Sequence, residues 1–233
     1  VYSFYSIWKN DCVAITIDFM STPDEVAYIL NDAQPEFIFC SIETHKLLIS
    51  ISEKLLYTPN FLVFESINLK EISEDNSDLY IPDIYKTALI IYTSGTTSTP
   101  KGVMLSYDNL LANIEAVVDA NIYREDIRVM VLLPLHHALP LMGTMIIPLF
   151  VNATIAFSPS LNAEDLIATL QKHKITMIIG VPRFYTLLRR KIKDKINEKF
   201  VTRFLFKTCE KINSFGFSKV IFSKVHKNFG GHL

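Results

Sequence analysis

Glycine is scarce in this chain, with seven residues in 233, so any stretch holding two of them is informative. The three cysteines, Cys12, Cys40 and Cys209, are scattered and make no CxxC pair. That argues against a disulfide framework and a zinc site, and suits a reducing cytosol. Charged residues are 20% and apolar residues 49%, which excludes a disordered chain. No basic segment followed by an apolar run stands at the N-terminus, so no signal peptide is expected. Asp, Glu, Lys and Arg are absent from 129 to 163, a length that could cross a bilayer. Pro134, Pro140 and Pro148 interrupt that stretch, and His136, His137 and Asn152 lie inside it. Short buried strands and a core helix are predicted there instead of a span.

What is present alternates between strands and helices. Thr22, Pro23 and Glu25 form a helix start with a capping box, followed by the apolar positions Val26, Ile29 and Leu30. Phe37–Cys40, Phe61–Phe64 and Ala88–Thr93 read as short buried strands, and Glu71–Asp83 as an acidic loop. Ser106 can cap a helix whose apolar face is Leu110, Ile114, Val117 and Val118. Strands are predicted over Arg128–Leu135, Ala153–Phe157 and Ile175–Gly180, with Asn162 capping a helix between the last two. From Arg183 to Ser214 neither Gly nor Pro occurs, and Leu188, Ile192, Ile196, Phe200 and Phe204 recur every four residues, as in one long helix or two. The fold class this predicts is α/β, with mostly parallel sheets covered by helices. Two subdomains are expected, 1–157 and 158–233.

The stretch "IIYTSGTTSTPKGVMLS", Ile90–Ser106, holds seven Ser/Thr, two Gly and a lysine. It is expected to run as a loop from a buried strand to a helix, where α/β sheets place ligands. Glycine lets the backbone approach a phosphate, Thr93, Ser94, Thr96 and Thr97 add short donors around Gly95, and Lys101 adds positive charge. The set suits a triphosphate. It is not a Walker A loop, because Pro100 precedes Lys101 and Gly102 follows it.

The ordered string "YTSGTTSTPKGV" resembles the phosphate-binding signature of the adenylate-forming superfamily, which holds acyl-CoA synthetases, luciferases and adenylation domains. Ser98 stands where glycine is usual. Four further segments carry the likeness. "IWKNDCVAITIDFMSTPDEVAYILNDAQPEFIFCS" resembles the early part of these enzymes, with Asn10-Asp11 replacing the usual Ala-Gly. "LLPLHHALPLMG" resembles the next motif, with His137 at its histidine and His136 at its aromatic position. "HKITMIIGVPRFY" and "SKVHKNFGGHL" are similar to the long-chain fatty acid–CoA ligases.

The resemblance implies an internal fragment of the N-terminal domain, since the later acidic, ribose-binding and catalytic-lysine motifs are absent; the fragment alone is expected to be inactive. It implies ATP-dependent activation of a fatty, long-chain carboxylic acid through an acyl-adenylate, then thioester formation. The cofactors implied are ATP and Mg²⁺, with CoA as co-substrate. Thr93, Ser94, Gly95, Thr96, Thr97 and Lys101 would hold the phosphates, Thr93 would be nearest Mg²⁺, and His137 would be catalytic at the junction of acid and nucleotide. His136, Phe184 and Tyr185 are expected to be structural. An acyl-carrier-protein ligase, or a non-catalytic nucleotide- or lipid-binding homologue, remains open as an alternative.

Charge is unevenly divided. Residues 1–182 hold 10 Lys/Arg and 21 Asp/Glu, net −11, and residues 183–233 hold 13 and 3, net +10. Basic residues mixed with phenylalanines suit an anionic membrane surface, and no nucleic-acid motif accompanies them. The expected location is cytoplasmic, with peripheral contact at the inner membrane surface through residues 183–233.

Overall fold

The computed structural model describes residues 1–67, 82–93, 99–124, 126–198, 200–212, 216, 221–223 and 231–232. The acidic loop expected over Glu71–Asp83 falls mostly outside these. The chain forms two compact units: Val1–Ala116 with His136–Ala138, and Val117–Leu135 with Leu139–Leu233.

In the first unit, α1 (Tyr2–Lys9) leads into β1 (Ala14–Thr16). Trp8 Nε1 donates to the Ala88 carbonyl at 2.7 Å and fastens α1 to the sheet. Between them, Asp11 has φ 53°. Asp tolerates this left-handed conformation, so it can stand where the family resemblance expects glycine. Its carboxylate also receives Lys86 Nζ at 2.6 Å.

The expected capping box forms at α2 (Pro23–Ala33): Thr22 accepts from the Glu25 N–H, and Glu25 accepts from the Thr22 N–H. β2 (Phe37–Cys40) follows, then α3 (Ile42–Ser50), capped by a second reciprocal pair, Ser41 and Thr44, that the sequence reading missed. β2 pairs in parallel with β3 (Asn60–Val63). These strands are less covered than predicted: Phe37 is exposed and only Cys40 of β2 is buried, because a two-stranded sheet is all edge. Val26, Ala27, Leu30, Cys40, Leu48 and Ile51 form the core beneath them.

β4 (Thr87–Thr93) is the central strand of a second sheet, parallel to β1 and antiparallel to β5 (Lys101–Ser106). Ala88, Leu89 and Ile91 are buried. α4 (Tyr107–Asp119) starts at once after β5. Ser106 caps it as expected, its hydroxyl accepting the Asn109 N–H at 3.2 Å while Asn109 Oδ1 accepts the Ser106 N–H at 3.1 Å.

The second unit is built on β6 (Arg128–Val131), flanked in parallel by β7 (Thr154–Phe157) and β8 (Met177–Ile178). β6 ends four residues short of the predicted Leu135. The chain then turns helical from Ala138 to Phe150, straight through two prolines expected to break it. The helix has ordinary turns at α5 (Ala138–Leu141) and α6 (Ile147–Phe150), with a π segment, Met142–Ile146, between them. Pro140 lies in the first turn, where its missing N–H costs nothing. Pro148 would crowd the carbonyl four residues back, and the wider π turn just before it makes room. The Thr144 hydroxyl donates to the Pro140 carbonyl at 2.6 Å, and Tyr123 Oη to the Gly143 carbonyl at 2.5 Å. Burial pushes the Tyr123 hydroxyl up to about 12.

Asn162 caps α7 (Ala163–Lys172) by accepting the Asp165 N–H at 2.8 Å. α8 (Pro182–Asn197) and α9 (Phe200–Ile212) are two helices, not one. Met130, Leu132, Ala156, Leu170 and Ile175 form this unit's core, with Phe184 packed against it as expected. Tyr185 is partly exposed and donates to the Ile178 carbonyl at 2.9 Å. The boundary expected at 157–158 falls at the end of β7, inside this unit. Among the described residues, no helix is long and apolar enough to cross a membrane.

Candidate functional site

The hydroxyl-rich stretch joins two strands, where a strand and a helix were expected. Thr93 is paired directly with Lys101 across the β4–β5 ladder, Tyr92 with Gly102, and Ile91 with Val103. The antiparallel pairing explains the difference: six residues after Pro100 find ladder partners on β4 before the helix can begin. Thr93 and Lys101, on either side of that stretch, therefore lie side by side. Ser94, Gly95, Thr96 and Thr97, with Ser98, lie outside the described residues. Thr93 and Lys101 are exposed.

That pair is braced from one side. Tyr92 Oη donates to Asp32 Oδ2 at 2.6 Å. Burial, and then the Asp32 carboxylate, hold the Tyr92 proton far above the ordinary phenol range. The Tyr92 ring lies over Gly102, where an added Cβ would come within 3.1 Å of the ring and 3.0 Å of Ile90 Cγ2. A side chain here would have to shift the Tyr92 ring or Ile90 by a few tenths of an ångström, so glycine fits closely next to the lysine.

β1 and β4 run in parallel, so their carboxyl ends share one edge of the sheet. Thr16, the last residue of β1, is level with Ile91, which puts Thr93 about 7 Å further along β4. The segment His136–Ala138 returns to this same unit and edge. There the Thr16 hydroxyl donates to the His136 carbonyl at 3.3 Å. The edge thus gathers Thr93, Lys101 and His137, three of the residues singled out from the sequence.

It also gathers His136, expected from the sequence to be structural, and Asp18, which sequence reasoning passed over. The imidazoles of His136 and His137 lie with ring centroids 4.0 Å apart and Nε2 atoms 3.0 Å apart. Asp18 Oδ2 lies 3.4 Å from His136 Nε2. His136, expected to be a core residue, is well covered, its side chain 12% exposed, while His137 is exposed. Burial, and then His137, hold the His136 imidazole below its ordinary value, with Asp18 opposing them. No local signal joins Asp18 to a histidine 118 positions later.

The donors at this edge are hydroxyl, ammonium and imidazole, which suit an anionic, oxygen-rich ligand. Among the described residues no three His, Cys, Asp or Glu side chains group as a metal site. Thr93 provides one hard oxygen. That fits Mg²⁺ carried by a polyphosphate, which takes few protein ligands and keeps its waters.

Known proteins share this arrangement of elements. The family described as AMP-binding enzyme matches residues 1–216. The human mitochondrial malonate–CoA ligase is 26% identical over 216 residues, 90% of this chain and 37% of its own length. A mouse long-chain-fatty-acid–CoA ligase is 35% identical over 114 residues, 47% of this chain and 17% of its own. The crystal structure of ATP-bound MatB from Rhodopseudomonas palustris superposes with a TM-score of 0.67 at 27% identity, covering 79% of this chain and 37% of that one. The chain therefore spans little more than a third of the length of the relatives it matches most fully. With a match over residues 1–216, the chain belongs to the AMP-binding enzyme family.

Proposed function

We propose that this chain is part of an ATP-dependent acid–thiol ligase. A carboxylate oxygen attacks the α-phosphorus of ATP, the α–β bridging P–O bond breaks, and pyrophosphate leaves with the electron pair. The acyl-adenylate then loses AMP to an attacking thiolate, that of CoA, giving a thioester. The observation that carries this reading is the direct pairing of Thr93 with Lys101, the residues that flank the hydroxyl-rich stretch, at the carboxyl ends of β1 and β4. Phosphoryl chemistry of this kind asks the protein for positioning and charge stabilisation. Lys101 would hold the β- and γ-phosphates together with Ser94, Gly95, Thr96 and Thr97. Thr93 would provide one oxygen to Mg²⁺, which when bound offsets charge on the phosphates. His137 would face the junction of acid and nucleotide.

The acid we propose is a long-chain fatty acid. The Val181-Pro182-Arg183 segment and the 35% identity to the mouse long-chain ligase support it. Malonate is the second reading, favoured because the malonate–CoA ligases match over 90% of the chain. Acid-dependent exchange of labelled pyrophosphate into ATP by the complete protein tests both. Exchange with palmitate supports the first and exchange with malonate the second; no exchange with either removes the ligase reading.

We also propose a membrane contact through residues 183–233. On α9, Phe200 is 79% and Phe204 63% exposed, with the exposed Arg203 beside them. Several basic residues facing an anionic surface would each add about 1 kcal/mol. Co-sedimentation with phosphatidylserine vesicles that fades with salt is expected; equal recovery with phosphatidylcholine vesicles would remove this contact.

A further inference from the structure

The placement of His136 and Asp18 decides more than packing. Two imidazole nitrogens 3.0 Å apart can share only one proton, since two lone pairs repel and so do two N–H groups. By distance alone either ring could donate. Asp18 breaks that tie. Its Oδ1 accepts the Met20 N–H at 2.9 Å and its carbonyl accepts the Ser21 N–H at 3.0 Å, so a tight turn holds the side chain. Oδ2 is left 3.4 Å from His136 Nε2. A carboxylate at that distance favours a proton on His136 Nε2 and disfavours a lone pair there. The Thr16 hydroxyl bonded to the His136 carbonyl anchors the backbone of the same residue. The donor is then His136 Nε2–H and the acceptor is His137 Nε2.

We propose that Asp18 and His136 are positioning residues that hold His137 with its Nε2 lone pair occupied and its proton on Nδ1. His137 then offers the ligand a donor, not a base. This deepens the ligase reading and rests on it for the direction His137 faces. A donor is what that reaction needs: the attacking carboxylate is already ionised and has no proton to lose, while charge builds on phosphate oxygens. The hydrogen bond made by one ring nitrogen sets the proton on the other.

Carbethoxylation by diethylpyrocarbonate tests the tautomer without any turnover, because the reagent needs a free imidazole lone pair. Its rate at His137 would be read by peptide mass spectrometry on the complete protein at neutral pH. Although exposed, His137 is expected to react about tenfold more slowly than N-acetylhistidine, the scale of one hydrogen bond. His136→Phe and Asp18→Asn are each expected to restore the rate to within about twofold of N-acetylhistidine. His136→Gln, whose amide N–H can donate from the same place, is expected to keep His137 slow. A His137 that reacts like N-acetylhistidine in the unaltered protein overturns the proposal. So does one that stays slow in His136→Phe or in Asp18→Asn.

Pyrophosphate exchange gives the kinetic arm. Both freeing variants should lose about tenfold in kcat at unchanged KM for ATP, with His136→Gln recovering most of it. If the unaltered protein shows no exchange, the ligase reading fails, and the carbethoxylation pattern still decides the tautomer.

Discussion

The two three-stranded sheets of this protein share a plan and differ at one edge. Each has a buried central strand, β4 in the first unit and β6 in the second, with a parallel neighbour on one side. On the other side β6 has a second parallel partner, reached through α7, whereas β4 has an antiparallel one only seven residues further along the chain. Parallel crossovers send the chain over the sheet face, and their ends are spent on helix starts such as Asn162 and Pro182. The antiparallel return instead brings a lysine, Lys101, back to the end of β4. The difference teaches that one antiparallel edge returns the chain to the end of the strand it left: the candidate site residues Thr93, Lys101 and His137 all lie in the first unit.

The largest expected effect is on stability, and it separates the two sheets. Leu89 and Met130 are 0% and 1% exposed at equivalent central positions. Leu89→Ala and Met130→Ala should each cost about 2–5 kcal/mol. Hydrogen exchange read by peptide should show Leu89→Ala loosening β1, β4 and β5 and sparing β6, with the reverse for Met130→Ala. Loss of protection in both sheets from either change would merge the units into one.

Charge separates them next. Lys101→Ala should weaken ATP use in pyrophosphate exchange by about 1.5–3 kcal/mol, the loss of a charge-assisted phosphate contact. Arg128→Ala, at the start of β6 where Arg128 Nη1 donates to the His173 carbonyl at 3.3 Å, should leave ATP use unchanged. Equal effects would mean that the lysine acts only through overall charge.

The brace beside the Thr93–Lys101 pair is a smaller term. Tyr92→Phe keeps the ring over Gly102 and removes the bond to Asp32, at a cost of about 1 kcal/mol in thermal or urea unfolding. KM for ATP should rise with it if the brace positions Lys101, and stay level if Lys101 is held by the ladder alone.

The smallest is a pH effect confined to the first unit. The folded protein holds His136 below its ordinary value of 6.5. The unfolded chain therefore binds the proton more readily, so this contribution is present above 6.5 and is lost as pH falls below it. Urea midpoints measured down through that range should fall in the unaltered protein and fall less in His136→Phe.

Much of this was legible locally. The capping box at Thr22–Glu25, the Asn162 cap, the apolar run Ala88–Thr93, and the Leu110/Ile114 face of α4 depend on residues within a turn or a strand of one another. The hydroxyl-rich stretch was plain in composition, but not that a strand, Lys101–Ser106, follows it before the helix begins. Asp11 at φ 53° shows why the departure from Ala-Gly did no harm: Asp can occupy the left-handed region.

The sequence by itself determined which segments would be strands or helices where side-chain period and caps decide the matter. Tertiary structure decided the rest, for a physical reason common to each case. Lys101–Ser106 became a strand because β4 offered a ladder, and strand pairing is a property of two segments, not of one. Ala138–Phe150 stayed helical through Pro148 because a π turn precedes it and the Tyr123 hydroxyl takes up the Gly143 carbonyl. Asp18 met His136 because the chain returns to the end of β1, which no spacing along the sequence encodes.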